Sequence, residues 1–318
     1  MSAFSHSFPF DPTYGYGLNE LLKITPPEPP ADFETFWRPY YLAALGIDPR
    51  PTLRRSASVC GDFMVYDVEY RSTGVFTIGG WLVVPRNRPV TRALIVSHGY
   101  GGRNGPDFPL PLADAAVLFP CFRGLSRSAR APISSNPHWH VLHDLHQRER
   151  YIIRGCAEDL WLGVSTLLML FPWVQGRIGY MGTSLGGGVG ALALAWESRI
   201  ARGHLCVPTF GHQRLRLNFE SFGSLAAVRA FHLKHPEVID TLQYFDSAVA
   251  ASFLKQPMHV AAATFDPMVP PPGQFAVYNA IKGAKQLFTL PAGHFEYDGK
   301  ADQEGRLQKE LEAFFEPL

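Results

Sequence analysis

Apolar and polar positions alternate along the chain in two periods, and the switches between them outline the elements. Phe63–Arg71 alternates residue by residue, and Phe76–Val84 is a second β-rich run, with Ser72-Thr73-Gly74 as the turn between them. Ala93–Ser97 and Ala115–Phe119 are unbroken apolar runs, the pattern of strands buried on both faces. Later short runs at Arg177–Thr183, Gly203–Val207, Met258–Phe265 and Leu287–Leu290 predict four more strands. Between them lie helical stretches. Asp32–Leu45 gathers Phe33, Phe36, Trp37, Tyr40 and Tyr41 mostly on one side, with Pro39 expected to kink or interrupt it. A long helix is predicted from Tyr151 to about Phe171, where Pro172 stops it. Further helices are expected at Gly187–Trp196, in a mostly helical insertion over 213–254, at Phe275–Ile281 and at Glu304–Phe315. Residues 1–30 are rich in Pro, Gly and Tyr and include the stiff Pro26–Pro30 segment, which suggests an arm lying over the surface. Strands alternating with helices at this spacing predict an α/β fold with a doubly wound, mostly parallel sheet.

The stretch Arg177–Gly190 adds chemistry to this pattern. Gly182-Thr183-Ser184-Leu185-Gly186 fits G-x-S-x-G, with a predicted strand before it and a helix after it. That is the context of the nucleophile elbow of α/β-hydrolases, where a serine sits on a crowded strand-to-helix turn. Phosphate-binding alternatives fit less well. A Walker A loop needs Lys-Ser/Thr after its last glycine, where Val189-Gly190 stands here. A dinucleotide fingerprint belongs at the opening of a first βαβ unit, not at an internal position.

A serine nucleophile needs a base, an acid to orient the base, and donors for the oxyanion. In hydrolase chain order the acid and the histidine follow the serine. Asp266 stands at the expected end of a late strand and His294 in the loop after the last one. Asp266 could instead be a simple helix cap before Pro267, and Asp298 and Asp246 are weaker rivals for the acid. The oxyanion donors expected are the backbone N–H groups of Leu185, after the nucleophile, and of Tyr100, in the loop after the Ala93–Ser97 strand. His138, His140, His143 and His146 form one cluster, the last three recurring every three residues, but no H-E-x-x-H pattern accompanies them. They are expected to form a polar lip beside the site, and neither a metal nor another cofactor is expected.

Composition narrows the class. The chain has 318 residues, is 46% hydrophobic and carries a formal net charge of +1. That suits one large core over residues 1–318, with the arm and first helix in 1–50, and gives no electrostatic reason for nucleic acid or an anionic membrane as partner. Cys60, Cys121, Cys156 and Cys206 are widely spaced, which argues against a zinc ribbon or disulfide framework and fits a reducing compartment. Without an evident secretory segment or a bilayer-length apolar run, the expected location is the cytoplasm.

The assembled motifs resemble the acetyl xylan esterase and cephalosporin C deacetylase family. The likeness runs from the Asp32–Trp37 helix through HGYGG at His98–Gly102, FRGL at Phe122–Leu125, YIIRGCAEDL at Tyr151–Leu160 and RIGYMGTSLGGG. It continues through VPTF at Val207–Phe210, YFD at Tyr244–Asp246, FDPMVPP running into YNAIKG, and His294. The resemblance implies deacetylation of small acetyl esters by Ser184, Asp266 and His294 without cofactor, in homo-oligomers that are commonly hexamers. Three positions depart from the family pattern of R-G-Q, G-x-S-Q-G and His-Glu: Leu125, Leu185 and Phe295. Leu125 and Leu185 either pack together or turn an apolar wall toward substrate. Rival readings of the same residues are a peptidase or lactone hydrolase, and a catalytically silent binding protein.

Overall fold

Among the described residues nine strands form one sheet, in the order β1-β2-β3-β5-β4-β6-β7-β8-β9. The computed structural model describes residues 4–318, and at 57–59 the backbone alone. The strands are β1 Thr52–Cys60, β2 Phe63–Arg71, β3 Thr77–Pro85, β4 Arg92–Ser97, β5 Ala115–Pro120, β6 Ile178–Thr183, β7 Ile200–Cys206, β8 Met258–Ala263 and β9 Lys285–Leu290. From β5 to β9 all neighbours are parallel, while β1, β2 and β3 join antiparallel at one edge.

Both faces are covered, as the unbroken apolar runs require. Ile95 and Leu118 point into a core shared with the helices Phe33–Leu45, Ile152–Leu170 and Leu185–Leu194. Leu94, Val96, Val117 and Phe119 alternate to the other face, where Leu311, Phe314 and Phe315 of the Lys300–Phe315 helix meet them. Burying each such side chain is worth about 1.5–3 kcal/mol, so the two-sided strands supply much of the driving force.

Several elements differ from the pattern-based expectation, each for a physical reason. β1 was not expected. Thr52–Arg55 are exposed, so no buried face marks the strand, which is held by its ladder to β2. The Phe33–Leu45 helix runs through Pro39 without a break. Its aromatic face anchors it: Phe33, Phe36 and Trp37 are buried, and the Trp37 indole donates to the Tyr244 carbonyl at 2.9 Å. The helix after the elbow starts at Leu185 rather than Gly187, and β7 starts at Ile200. The Pro271–Ala280 helix starts earlier than Phe275, with prolines in its first turn, where a missing N–H costs nothing. The insertion comprises the helices Gln213–Arg216, Gly223–His232, Ile239–Leu242 and Ser247–Ala251.

A buried ion pair ties the FRGL and YIIRGCAEDL segments together. Arg123 donates to both carboxylate oxygens of Asp159, the shortest contact being 2.6 Å, and also to Ser72 and Thr73. The Arg123 backbone N–H adds a further bond to Asp159. Asp159 is fully buried, so losing its guanidinium would strand a charge in the core. Arg123→Ala is expected to destabilise the fold by about 3–5 kcal/mol, read from urea unfolding.

Candidate active site

The sheet reverses its winding at β4: the chain passes to β5 on one side and later to β6 on the other. Loops leaving the carboxyl ends of β4 and β6 therefore diverge and open a crevice. Ser97 pairs with Gly182 at this point, so the loop from His98 and the turn at Ser184 start side by side.

Ser184 has φ 56° and ψ −109°, a conformation that costs a side-chain-bearing residue energy. The neighbours impose it. A Cβ on Gly182 would lie 2.5 Å from the Gly186 carbonyl oxygen, and one on Gly186 would lie 2.4 Å from Ser97 Oγ. Glycine at both places lets the chain turn this tightly. Hydrogen bonds then pin the turn: Ser184 N–H donates to Cys206 O at 2.9 Å, and the Ser184 carbonyl accepts from Thr209 N at 3.2 Å.

His294 Nε2 lies 3.0 Å from Ser184 Oγ, and its Nδ1 lies 2.8 Å from Asp266 Oδ2. The three residues follow the carboxyl ends of β6, β8 and β9. Asp266 is fully buried and every lone-pair direction is used. Its Oδ1 accepts from Met268 N and Val269 N, each at 2.9 Å, and its Oδ2 also accepts from Gln274 Nε2 at 3.0 Å. It thus partners the histidine and caps the turn at 268–269, while the helix cap read from the sequence is not formed, since the next helix begins at Pro271 with Pro270 ahead of it. Gln274 was not anticipated. It is fully buried, accepts from Ala263 N, donates to Val269 O and braces the carboxylate. A lone glutamine just ahead of a predicted helix carries no sequence signal.

The rival acids lie elsewhere. Asp298 is exposed. Asp246 is buried in the insertion, where it accepts the N–H groups of His212, Gln213, Ala248 and Val249.

Burial opposes protonation of His294, but the Asp266 charge and hydrogen bond outweigh it and hold the imidazole above its ordinary pKa. A general base must be neutral to take a proton. The acidic limb of kcat/KM is therefore expected at a midpoint above the ordinary histidine value of about 6.5, with activity falling as pH drops through it. A rate profile on a neutral ester checks this.

The Tyr100 loop is fixed by two histidines. His98 is buried and its pKa is pushed down to about 4 by that burial. As the neutral ring it donates from Nδ1 to Gly99 O at 2.7 Å and accepts at Nε2 from Phe122 N at 3.1 Å. Gly99 comes so close to the elbow that a Cβ there would sit 3.4 Å from Ser184 Cβ, and Gly186 N donates to His98 O at 3.0 Å. His140, also held near pKa 4 by burial, donates to Arg123 O and accepts from the Tyr100 hydroxyl at 3.3 Å. One member of the histidine cluster thus supports the loop, while His138 and His146 are exposed. Among the described residues no group of three His, Cys, Asp or Glu could hold a metal ion. The Leu185 N–H is at the first position of its helix, where no helical acceptor exists. The side chains of Leu125 and Leu185 are buried in the same apolar cluster, so a preference for apolar substrates has no surface there to act through.

The acetyl xylan esterase family model matches residues 16–310. The solved acetyl xylan esterase from Paenibacillus sp. R4 superposes with a TM-score of 0.80 at 23% identity, covering 94% of this chain and 100% of that one. Acetyl xylan esterase 1 from Thermoanaerobacterium sp. JW/SL YS485 gives 0.78 at 23% identity, covering 95% and 99%. An acylaminoacyl peptidase from Pyrococcus horikoshii gives 0.61 at 15% identity, covering 86% of this chain and 43% of that one. At these identities the structural matches carry the fold, a nine-stranded, mostly parallel sheet of α/β-hydrolase type.

Proposed function

This chain belongs to the acetyl xylan esterase family, and from that premise we propose that it is a serine esterase hydrolysing small acyl esters, acetates foremost. The observation that carries the reading is the unbroken line Ser184 Oγ, His294 Nε2, His294 Nδ1, Asp266 Oδ2, with contacts of 3.0 and 2.8 Å.

In the proposed reaction Ser184 Oγ attacks the ester carbonyl carbon while His294 Nε2 takes its proton. The oxyanion is met by the backbone N–H groups of Leu185 and Tyr100, placed by the helix start and by the His98-pinned loop. Collapse breaks the bond to the alcohol, which leaves with the proton from His294. Water, deprotonated by the same imidazole, then attacks the acyl-enzyme and releases the carboxylic acid and Ser184. Asp266 holds the Nδ1–H tautomer throughout and stabilises the imidazolium.

A panel of aryl acetate, acetylated xylose, an acetoxymethyl cephem, a lactone and an aminoacyl anilide tests the reading. Turnover of the acetates is expected, and the relative kcat/KM values name the alcohol preferred. Cleavage of the anilide or lactone with the acetates untouched would replace this reading with the peptidase or lactonase one. The same proposal takes the chain as a single domain acting without cofactor, and as a homo-oligomer, which light scattering would test. Cys60, Cys121, Cys156 and Cys206 are free, and among the described residues no helix is long and apolar enough to cross a membrane. The free thiols support a reducing, cytoplasmic setting.

A further inference from the structure

Residues 4–12 lie ahead of the span matched by the family model, yet they pack against the loops that carry two of the three triad residues. The segment Phe4-Ser5-His6-Ser7-Phe8-Pro9-Phe10 places a ring at every second position, and the odd members between are exposed. In extended chain that spacing puts all four rings on one side.

Two receiving rings flank the catalytic groups in sequence: Phe265 precedes Asp266, and Phe295 follows His294. Phe4 meets both, at 5.2 Å and 5.6 Å between centroids. His6 lies 5.4 Å from Phe265, and Phe8 lies 5.8 Å from Phe295. Phe265 and Phe295 are themselves 5.1 Å apart, and Gly293 N donates to Phe265 O at 2.8 Å, so the two loops are joined. The arm also reaches the acid through the backbone, since Asp266 N donates to Pro12 O at 3.1 Å.

His294 needs such support. Its φ is 46°, in the left-handed region that few residues with a side chain adopt. A small relaxation of that loop would swing Nε2 away from Ser184 Oγ.

We infer that residues 4–12 are a strap that positions the catalytic histidine and acid, with Phe4 and Phe8 acting through Phe265 and Phe295. The inference rests on the esterase reading of Ser184, Asp266 and His294. Phe4 and Phe8 are positioning residues that touch no reacting atom. Phe10 meets Phe8, Tyr14 and Phe222 rather than Phe265 or Phe295, so it buttresses the strap through Phe8.

The test is steady-state kinetics on an aryl acetate, with thermal melting recorded for each variant. For the Phe4→Ala/Phe8→Ala double variant kcat is expected to fall about ten-fold with KM held within about two-fold, since misplacing a catalytic group costs turnover rather than binding. Phe4→Tyr/Phe8→Tyr should restore kcat, and Leu42→Ala, at an exposed position on the Phe33–Leu45 helix, should leave it unchanged. If the double variant does not fold, Phe8→Ala alone carries the same comparison with a smaller fall. Unchanged kcat in the folded variant would overturn the strap and leave the arm a general stabiliser. An unmutated protein without esterase turnover would instead overturn the esterase reading, and the strap with it.

Discussion

Ser184→Ala is expected to lower kcat/KM for an acetate ester by about 10⁴- to 10⁶-fold while the protein stays folded. The size follows from where the loss falls. Removing Oγ removes the bond-forming atom and leaves His294 Nε2 with no proton to accept, so the oxyanion donors are left to act on a water-mediated reaction. A loss of 10⁶ is about 8 kcal/mol of transition-state stabilisation. Folding is spared because the elbow is held by glycines and by backbone bonds to Cys206 and Thr209, none of which uses the hydroxyl. Alanine still carries a Cβ at φ 56°, so the variant keeps the native strain and reports on chemistry alone. Near-normal turnover in a clean Ser184→Ala preparation would remove the mechanism.

Asp266→Asn is expected to give the second large effect, a loss of about 10⁴-fold in kcat. Asp266 Oδ1 receives two backbone N–H groups, so the asparagine oxygen must stay there and its NH₂ must take the Oδ2 position. That position faces donors, Gln274 Nε2 and the Nδ1–H of His294. The imidazole can satisfy the new NH₂ only by becoming an acceptor at Nδ1, which moves its proton to Nε2. An Nε2–H cannot take the serine proton. Asp298→Asn, at an exposed site, is expected to be silent. Asp246→Asn should reduce stability through its four backbone partners and leave kcat within about three-fold, as for a site remote from the chemistry. A crippling Asp298→Asn would reassign the acid.

The parts legible in the sequence were those where one residue type answers one physical demand. Continuous apolar runs gave β4 and β5 because a strand covered on both faces leaves no polar position to interrupt it. The glycines around Ser184 were readable because no other residue fits within 2.5 Å of a carbonyl or hydroxyl oxygen. Ser184 was nominated by its G-x-S-x-G motif, and Asp266 and His294 by chain order and strand-end placement; the fold brings the three into one hydrogen-bonded line. What escaped was held by partners distant in sequence. β1 owes its place to β2 rather than to its own periodicity. Gln274 is defined by a carboxylate eight residues away, and the role of His140 by the Tyr100 hydroxyl and the Arg123 carbonyl. No local pattern encodes such pairings.

His294 and Ser184 stand 110 residues apart, and they differ in how they are anchored. Ser184 leaves a central strand flanked on both sides, whereas His294 leaves β9, which ends the sheet and pairs only with β8. Opening free energies are smallest at such margins. On gradual addition of denaturant, β9 and its loop would therefore part from the body of the sheet before β6 does, carrying the imidazole away from a still-ordered elbow. Hydrolysis would fade while most of the circular dichroism persists, and the catalytic signal would report the docking of the last strand rather than the folding of the chain.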